Sequence, residues 1–376
     1  MTRPAEHVVV APVTLQHQKH MDTVLDSNGY ESSAQGASMK LGTSLRFVFP
    51  TSPETFEHFR VALAALPPGG FIERPMGAMS TREQATNLLA VATAAHDAGL
   101  DMLVVGDSHA VPPAYANAFS PVPTLARLMP VTGNMTLGAV LLAPFYDPIL
   151  SAEQIGTIAA FSEAPLVVIL ALGQGKGRFA AFGMAERTRV GRTEEFVAAL
   201  RALLTGEPVT MKGRYHRLSH VQTGPLPRVP VSLWLAGTVR AAAERAGRLG
   251  DGWLAGQNST RAELAEQLDA YREAAVRHGR TPLPVLRRDI YVGESDREAE
   301  SVVNRILAEG YRGGGMDRLL VGSAESVVQQ LEEYRAIGFD HALVRHIVGD
   351  HALMLRSFER IGKDVLPRLH ALEPLA

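Results

Sequence analysis

The sequence predicts an α/β protein, a (β/α)8 TIM barrel with insertions in the loops at the carboxyl ends of its strands. Three observations carry this prediction. Eight short apolar runs alternate with stretches of helical period between residues 43 and 365, and strict β/α alternation requires a parallel sheet, which eight units close into a barrel. The run Leu166 to Ala171, LVVILA, is apolar without a break, as in a strand buried on both faces. No GxGxxG follows the first strand, where a dinucleotide-binding open sheet would carry it, so a doubly wound sheet is the second choice. A chain of 376 residues accommodates one barrel of about 250 residues with insertions, or two smaller domains.

In chain order, residues 1–38 hold one short apolar run, Val8 to Val13, then a polar stretch without helical or strand period, and read as a poorly ordered leader. His7, His17 and His20 fall there in no rigid ligand spacing, so no metal site is expected. The domain is expected over 39–368, with 369–376 as a tail. Strand 43–49 enters a Pro- and Gly-rich connection, 50–80, anchored by Phe56, Phe59, Phe71 and Ile72. Helix 81–98 carries apolar residues at 88, 89, 91, 92 and 95 and stops at Gly99. Strand 102–106 runs into Asp-Ser-His; helix 121–129 precedes strand 136–142, which ends before Pro144. Helix 151–162 precedes strand 166–171, and a flexible glycine-rich loop, GQGKGRFAAFGM, follows. Next come helix 193–205, a hairpin-like segment around Lys212 to Tyr215, strand 231–235, helix 239–249 and strand 252–255. Helix 261–278 places Leu264, Leu268, Tyr271 and Ala275 on one stripe, the spacing of a core-facing helix. Strand 285–292, helix 296–309, an extra helix 324–337, strand 341–348 and helix 352–365 complete the chain.

Composition narrows the function. Hydrophobic residues make up 46% and charged residues 20%, as in an ordinary globular enzyme, and a net charge of 37 − 39 = −2 supplies no field for nucleic acid or anionic lipid. With no cysteine, disulfides, thiolate-bound metals, iron–sulfur clusters and thiol nucleophiles are excluded. No apolar run reaches the ~18 residues that span a bilayer, and no signal-like N-terminus is visible, so the cytoplasm is the expected location.

The stretch Ser232 to Trp253 reads as strand, Gly-Thr turn, helix and second turn. Gly237 permits a sharp exit from the strand, and Thr238 is expected to cap helix 239–249, whose first N–H groups then form an anion site at the strand's carboxyl end. The same turn also serves as a plain connector. In a barrel of this kind, function collects at the carboxyl ends of the strands. There stand Asp107, Ser108 and His109 after the second strand, Leu141 to Phe145 at the third, Gly173, Gln174, Gly175 and Lys176 after the fourth, and Gly237 and Thr238 after the fifth. His109 can exchange a proton with a substrate or can cap its loop with Asp107 as partner. Lys176 and Arg178 can hold an anionic substrate or stay solvated, and Tyr215 and His216 read as packing residues. No GxSxG, HExxH or P-loop is present.

The run RTEEFVAALRALLTGEPVTMKGRYHRL through GPLPRVPVSLWLAGTVRAAAERAGRLGDGWL resembles the bacterial luciferase-like flavin-dependent oxidoreductases. MKLGTSLRFVF, GLDMLVVGDSHA, LGAVLLAPFYDPILSAEQIGTIA and VGSAESVVQQLEEYRAIGFDHALV resemble the same family in the same order, over about residues 39–368. The resemblance implies a TIM barrel that binds reduced FMN, or the deazaflavin coenzyme F420. It implies that Gly237, Thr238 and Val239 hold the flavin phosphate, that Ala139, Val140 and Leu141 support the ring on a bulge with a non-prolyl cis peptide, and that Gly173, Gln174 and Gly175 lie beneath the cofactor. Asp107 to His109 matches an acidic/His segment near the ring, with Ser108 between the two, and makes His109 the candidate catalytic residue. Some deazaflavin-dependent members carry a catalytic Glu where Lys176 stands, and the segment 161–165 is shorter than the family's usual one. The activity implied is a monooxygenase in which reduced FMN from a separate flavin reductase reacts with O2 to oxidise a small organic substrate. A deazaflavin-dependent hydride transfer and a catalytically idle flavin-binding protein are the alternatives. A homodimer is expected.

Overall fold

Eight strands pair in parallel and close on themselves. In the computed structural model β1 (Lys40–Leu45), β2 (Met102–Val105), β3 (Thr136–Leu142) and β4 (Leu166–Ala171) lie side by side. Beyond β4 and an antiparallel hairpin, β5 (Val209–Lys212) with β6 (Arg217–Val221), the wall continues through β7 (Val231–Ala236), β8 (Gly252–Leu254) and β9 (Pro284–Val292). After β10 (Leu319–Gly322), β11 (His341–His346) lies between β9 and β1, and Lys40 opposite His341 shuts the barrel. The structure describes residues 39–45, 80–110, 119–309, 311 and 313–371. The expected leader, nearly all of the 50–80 connection with its four anchors, and residues 372–376 of the tail lie outside the described residues.

Most wall strands are apolar on both faces because each face meets a core, with charged side chains on β9 and β11 as the exception. Met102, Val104, Val167, Ile169, Trp234, Leu254, Val285 and Leu343 fill the lumen, while alternate residues such as Leu41, Leu103, Leu137 and Leu170 join the layer between wall and helices. Trp234 is the largest lumen residue and is fully buried; a Cβ at Gly252 would come within 2.7 Å of its ring, so glycine on β8 makes room for the indole on β7. Truncating such a tryptophan costs on the order of 3–5 kcal/mol.

Several helices start where capping chemistry places them. Ser80 with Glu83, and Thr260 with Glu263, form reciprocal capping boxes for helices Thr81–Asp97 and Arg261–Arg277. Asp147 accepts from Ile149 and Leu150 N–H groups, and with Pro148 at the first helical position it starts helix Pro148–Phe161 ahead of the expected residue 151. Helix Arg189–Leu203 likewise begins before residue 193. Among the described residues no helix is long and apolar enough to cross a membrane.

Two features depart from the sequence expectation. The glycine-rich segment after β4 is not loop throughout: it contains helix Lys176–Ala181, pinned by the fully buried Phe179. A ninth strand, β10, precedes the extra helix Ala324–Ile337. Its origin lies in β8, which spans only three residues and meets β9 at Pro284 and Val285. Above that point the edge of β9 would present bare N–H and C=O groups, and β10 takes them up, with Leu319 opposite Asp289 and Gly322 opposite Val292.

Candidate active site

At the carboxyl end of β2 the chain turns inward. Asp107 has a side chain only 1% exposed, and its Oδ2 accepts a 2.8 Å hydrogen bond from the Leu142 N–H at the end of β3. Nε2 of His109 lies 3.1 Å from that oxygen but outside hydrogen-bond geometry. The imidazole is 24% exposed and is met edge-on by Phe145, Tyr146 and Phe182, with ring centroids 5.6, 5.2 and 5.7 Å away. An imidazole with one accessible edge, a buried carboxylate beside it and aromatic walls can exchange a proton with a ligand while water is kept out. The Tyr146 hydroxyl is buried next to Asp107; burial first, and the carboxylate charge second, push its pKa up, so it stays protonated.

The loop after β4 closes this corner. Arg178 donates from Nε to the His109 carbonyl at 2.9 Å, and also reaches the Ser108 hydroxyl at 3.5 Å and the Gln174 carbonyl at 3.4 Å. Arg178 thus fastens the β4 loop to the β2 loop, whereas Lys176 is exposed at the start of its helix. Gly173 and Gly175 adopt φ of +66° and +101°, a region open to glycine at no cost, and the Gly175 N–H donates to Glu186 at 3.0 Å.

Gly237 follows β7, the neighbour of β4 in the wall. Its turn is held by Gly237 N–H to the Leu254 carbonyl (3.1 Å), Trp253 Nε1 to the Gly237 carbonyl (3.2 Å) and Gln267 Nε2 to the Thr238 carbonyl (3.4 Å). A Cβ at Gly237 would stand 2.5 Å from that of Ala242, so the strand-to-helix approach requires glycine. Thr238 is not the cap expected from the sequence. Val239 takes that position with extended backbone (φ −139°, ψ 156°), and no side chain caps helix Arg240–Leu249. Its first N–H groups therefore remain available for an anion.

The third strand also differs from expectation. β3 pairs regularly with β4 from Leu137 to Leu142, without a bulge, and among the described residues the one cis peptide is Gly224–Pro225, so the non-prolyl cis peptide expected near Ala139 to Leu141 is absent. Ala139 and Leu141 bury their side chains in the helix layer and only Val140 faces the lumen, which leaves mostly backbone to a ligand there.

A charged group at the mouth of the barrel escaped sequence reasoning. Arg287 and Asp289 on β9 and Arg345 on β11 occupy lumen-facing alternate positions; Arg345 pairs with Asp289, and the Tyr311 hydroxyl donates to the same carboxylate. The signal in PVLRRDIYV was a run of three consecutive charges in an otherwise apolar strand, and alternation puts Arg287 and Asp289 on one face and Arg288 on the other.

A family model described as luciferase-like monooxygenase matches residues 69–341. The F420-dependent glucose-6-phosphate dehydrogenase of Beutenbergia cavernae is 28% identical over 322 residues, covering 76% of this chain and 94% of that protein. The FMNH2-dependent dimethylsulfone monooxygenase of Pseudomonas putida is 26% identical over 65% of this chain and 77% of its own length. In fold, the crystal structure of monooxygenase RslO1 from Streptomyces bottropensis superposes with a TM-score of 0.72 at 21% identity, covering 88% of this chain and 99% of that one.

Proposed function

The chain belongs to the luciferase-like monooxygenase family, and on that premise we propose that it is a monooxygenase that takes reduced FMN from a separate flavin reductase and oxidises a small organic substrate with O2. The observation that carries this reading is the setting of His109: a part-exposed imidazole beside a buried carboxylate, inside an aromatic wall. The uncapped start of helix Arg240–Leu249 suits a phosphate monoester without any cationic side chain. When bound, reduced FMN supplies the two electrons that allow one atom of O2 to enter the substrate and the other to leave as water.

The protein's share is positional. Gly237, Thr238 and Val239 hold the phosphate, Gly173, Gln174 and Gly175 underlie the ring, and Asp107 with the β3 segment Ala139, Val140 and Leu141 borders it. His109 holds or releases one proton at the accessible edge of its imidazole, while Nε2 stays buried against Asp107. Phe145 and Phe182 exclude water, and Arg178 locks the two loops that carry His109 and Gly175. Lys176, exposed on the rim, is placed to meet an anionic part of a substrate that enters there. We assign the enzyme to the cytoplasm as a homodimer.

A second reading, hydride transfer with coenzyme F420, is favoured by the F420-dependent relatives that span most of this chain. Substrate turnover with reduced FMN in air, compared with the F420 couple under argon, separates the two. Oxygen-dependent product formation with FMN is expected. Turnover with F420 alone would replace the first reading with the second, and tight flavin binding without turnover in either arm would leave a binding protein.

A further inference from the structure

The lumen changes character along its length. In its lower part it is filled by large apolar side chains, Trp234, Met102, Ile169 and Leu343 among them. Strand alternation carries the next inward positions to small residues on five strands: Ser44, Gly106, Ala171, Ala236 and Gly256. At that level β9 and β11 present Arg287, Asp289 and Arg345. Arg345 stands directly opposite Asp289 in the parallel register, and their side chains pair across the strands. Nη1 of Arg287 lies 3.5 Å from the other oxygen of Asp289 and donates to the Arg288 and Leu343 carbonyls at 2.8 and 3.2 Å. Tyr311, from the segment that leads into β10, donates its hydroxyl to Asp289. Asp289 and Arg345 have side chains only 1% and 10% exposed, and Ser44 and Arg345 also border a cleft at the rim that Asn87, His346 and Met354 help to line.

Desolvating an ionic group at such depth is costly, and an apolar set of the same volume would often leave the fold as stable or more so. Its place among small side chains, at the barrel end where ligands bind, fits recognition better than packing. A guanidinium presents planar paired donors that match the oxygens of a carboxylate, sulfonate or phosphate group.

We propose that Arg345 and Arg287, oriented by Asp289 and Tyr311, form a subsite for an oxyanionic group of the substrate. This rests on the oxidoreductase reading only for the identity of the occupant as substrate. The same chemistry could come from the cofactor phosphate, and the test has an arm for each source.

The probes are benzenesulfonate and its uncharged near-isostere benzenesulfonamide, titrated into the flavin-free protein by calorimetry at matched ionic strength. Wild type is expected to bind the sulfonate at least tenfold more tightly. Arg345→Met, and the charge-neutral pair Arg345→Met with Asp289→Asn should one buried carboxylate alone disturb folding, are expected to lose that preference while FMN affinity stays within twofold. Arg240→Pro, at the helix start, is expected to do the reverse. Equal affinity for the two probes in wild type would overturn the subsite without any variant. Retention of the preference in the folded Arg345 variants would overturn it as well, and an FMN loss in them equal to that of Arg240→Pro would reassign the arginines to the cofactor.

Discussion

Asp107 accepts a 2.8 Å hydrogen bond from the Leu142 N–H, which ties the end of β2 to the end of β3. The same oxygen stands 3.1 Å from Nε2 of His109, so one buried carboxylate sets both the spacing of two strand ends and the place of the exposed imidazole. Four expectations follow from this and from three other local arrangements.

His109→Ala is expected to lower turnover by about 10²- to 10⁴-fold, the range of general acid–base assistance, with little change in flavin affinity. A ring that merely capped its loop would instead cost on the order of 1 kcal/mol of stability with near-normal kinetics. Single-turnover rate, flavin dissociation constant and melting temperature on one preparation tell the outcomes apart.

Arg240→Pro removes one amide from the uncapped helix start at a position where proline is accepted. The preceding Val239 already has the extended backbone that a residue before proline prefers (φ −139°, ψ 156°). The exposed ion pairs of Arg240 with Glu244 and Glu266, at 3.1 and 3.5 Å, are screened by solvent and contribute little. FMN affinity should therefore fall by roughly 10- to 150-fold, the worth of one hydrogen bond to a charged group at about 1.5–3 kcal/mol, with the fold preserved. Fluorescence titration showing unchanged affinity would refute the phosphate assignment.

Asp251→Ala is expected to cost about 3–5 kcal/mol and to leave the chemistry of the surviving folded enzyme intact. The carboxylate is buried where the chain enters β8, at the end of the barrel opposite His109, and it binds Arg201 at 2.9 Å, Arg280 at 3.1 Å and the Leu233 N–H at 2.8 Å. Urea unfolding gives the stability change, and kcat measured at low temperature gives the kinetic half of the prediction.

His346 makes stability depend on pH. Burial pushes its pKa down from 6.5 to about 3, and its Nε2 meets the Ser357 hydroxyl at 2.9 Å. That hydroxyl also accepts from the Val292 N–H at 3.0 Å, and burial favours the neutral ring beside it. The unfolded chain takes up a proton near 6.5 and the folded one only near 3, so the contribution is complete above pH 6.5 and is lost as pH falls through that window. In His346→Phe the urea midpoint should drop less steeply between pH 6.5 and 5; parallel slopes in the two proteins would contradict it.

Much of the barrel was legible because its strands obey a local rule. LVVILA reads as a strand buried on both faces from composition alone, and the observed bounds of that strand and of TLGAVLL agree with the expected ones. β10 was not legible: LLVG is too short to stand out, and it exists because β8 stops after three residues and leaves an edge of β9 to be paired. Asp107, His109, Gly237 and the β4 loop were visible as residues after strands. Thr238 misled, since a residue with good capping propensity lost the position to Val239, its own carbonyl instead accepting from Gln267 of helix Arg261–Arg277.

What the sequence determined by itself was period and punctuation: which segments bury two faces, which stretches are helical, and which polar residues follow the strands, because each depends on neighbours a few positions away. Tertiary structure alone decided the groupings of charge. Asp289 and Arg345 lie 56 residues apart and meet because the β9–β11 register sets them opposite one another. Likewise Arg178 reaches the His109 carbonyl across 69 residues because the β2 and β4 loops leave the barrel on the same rim. Contacts of that range are fixed by closure of the sheet, and no local pattern in the chain encodes how a barrel closes.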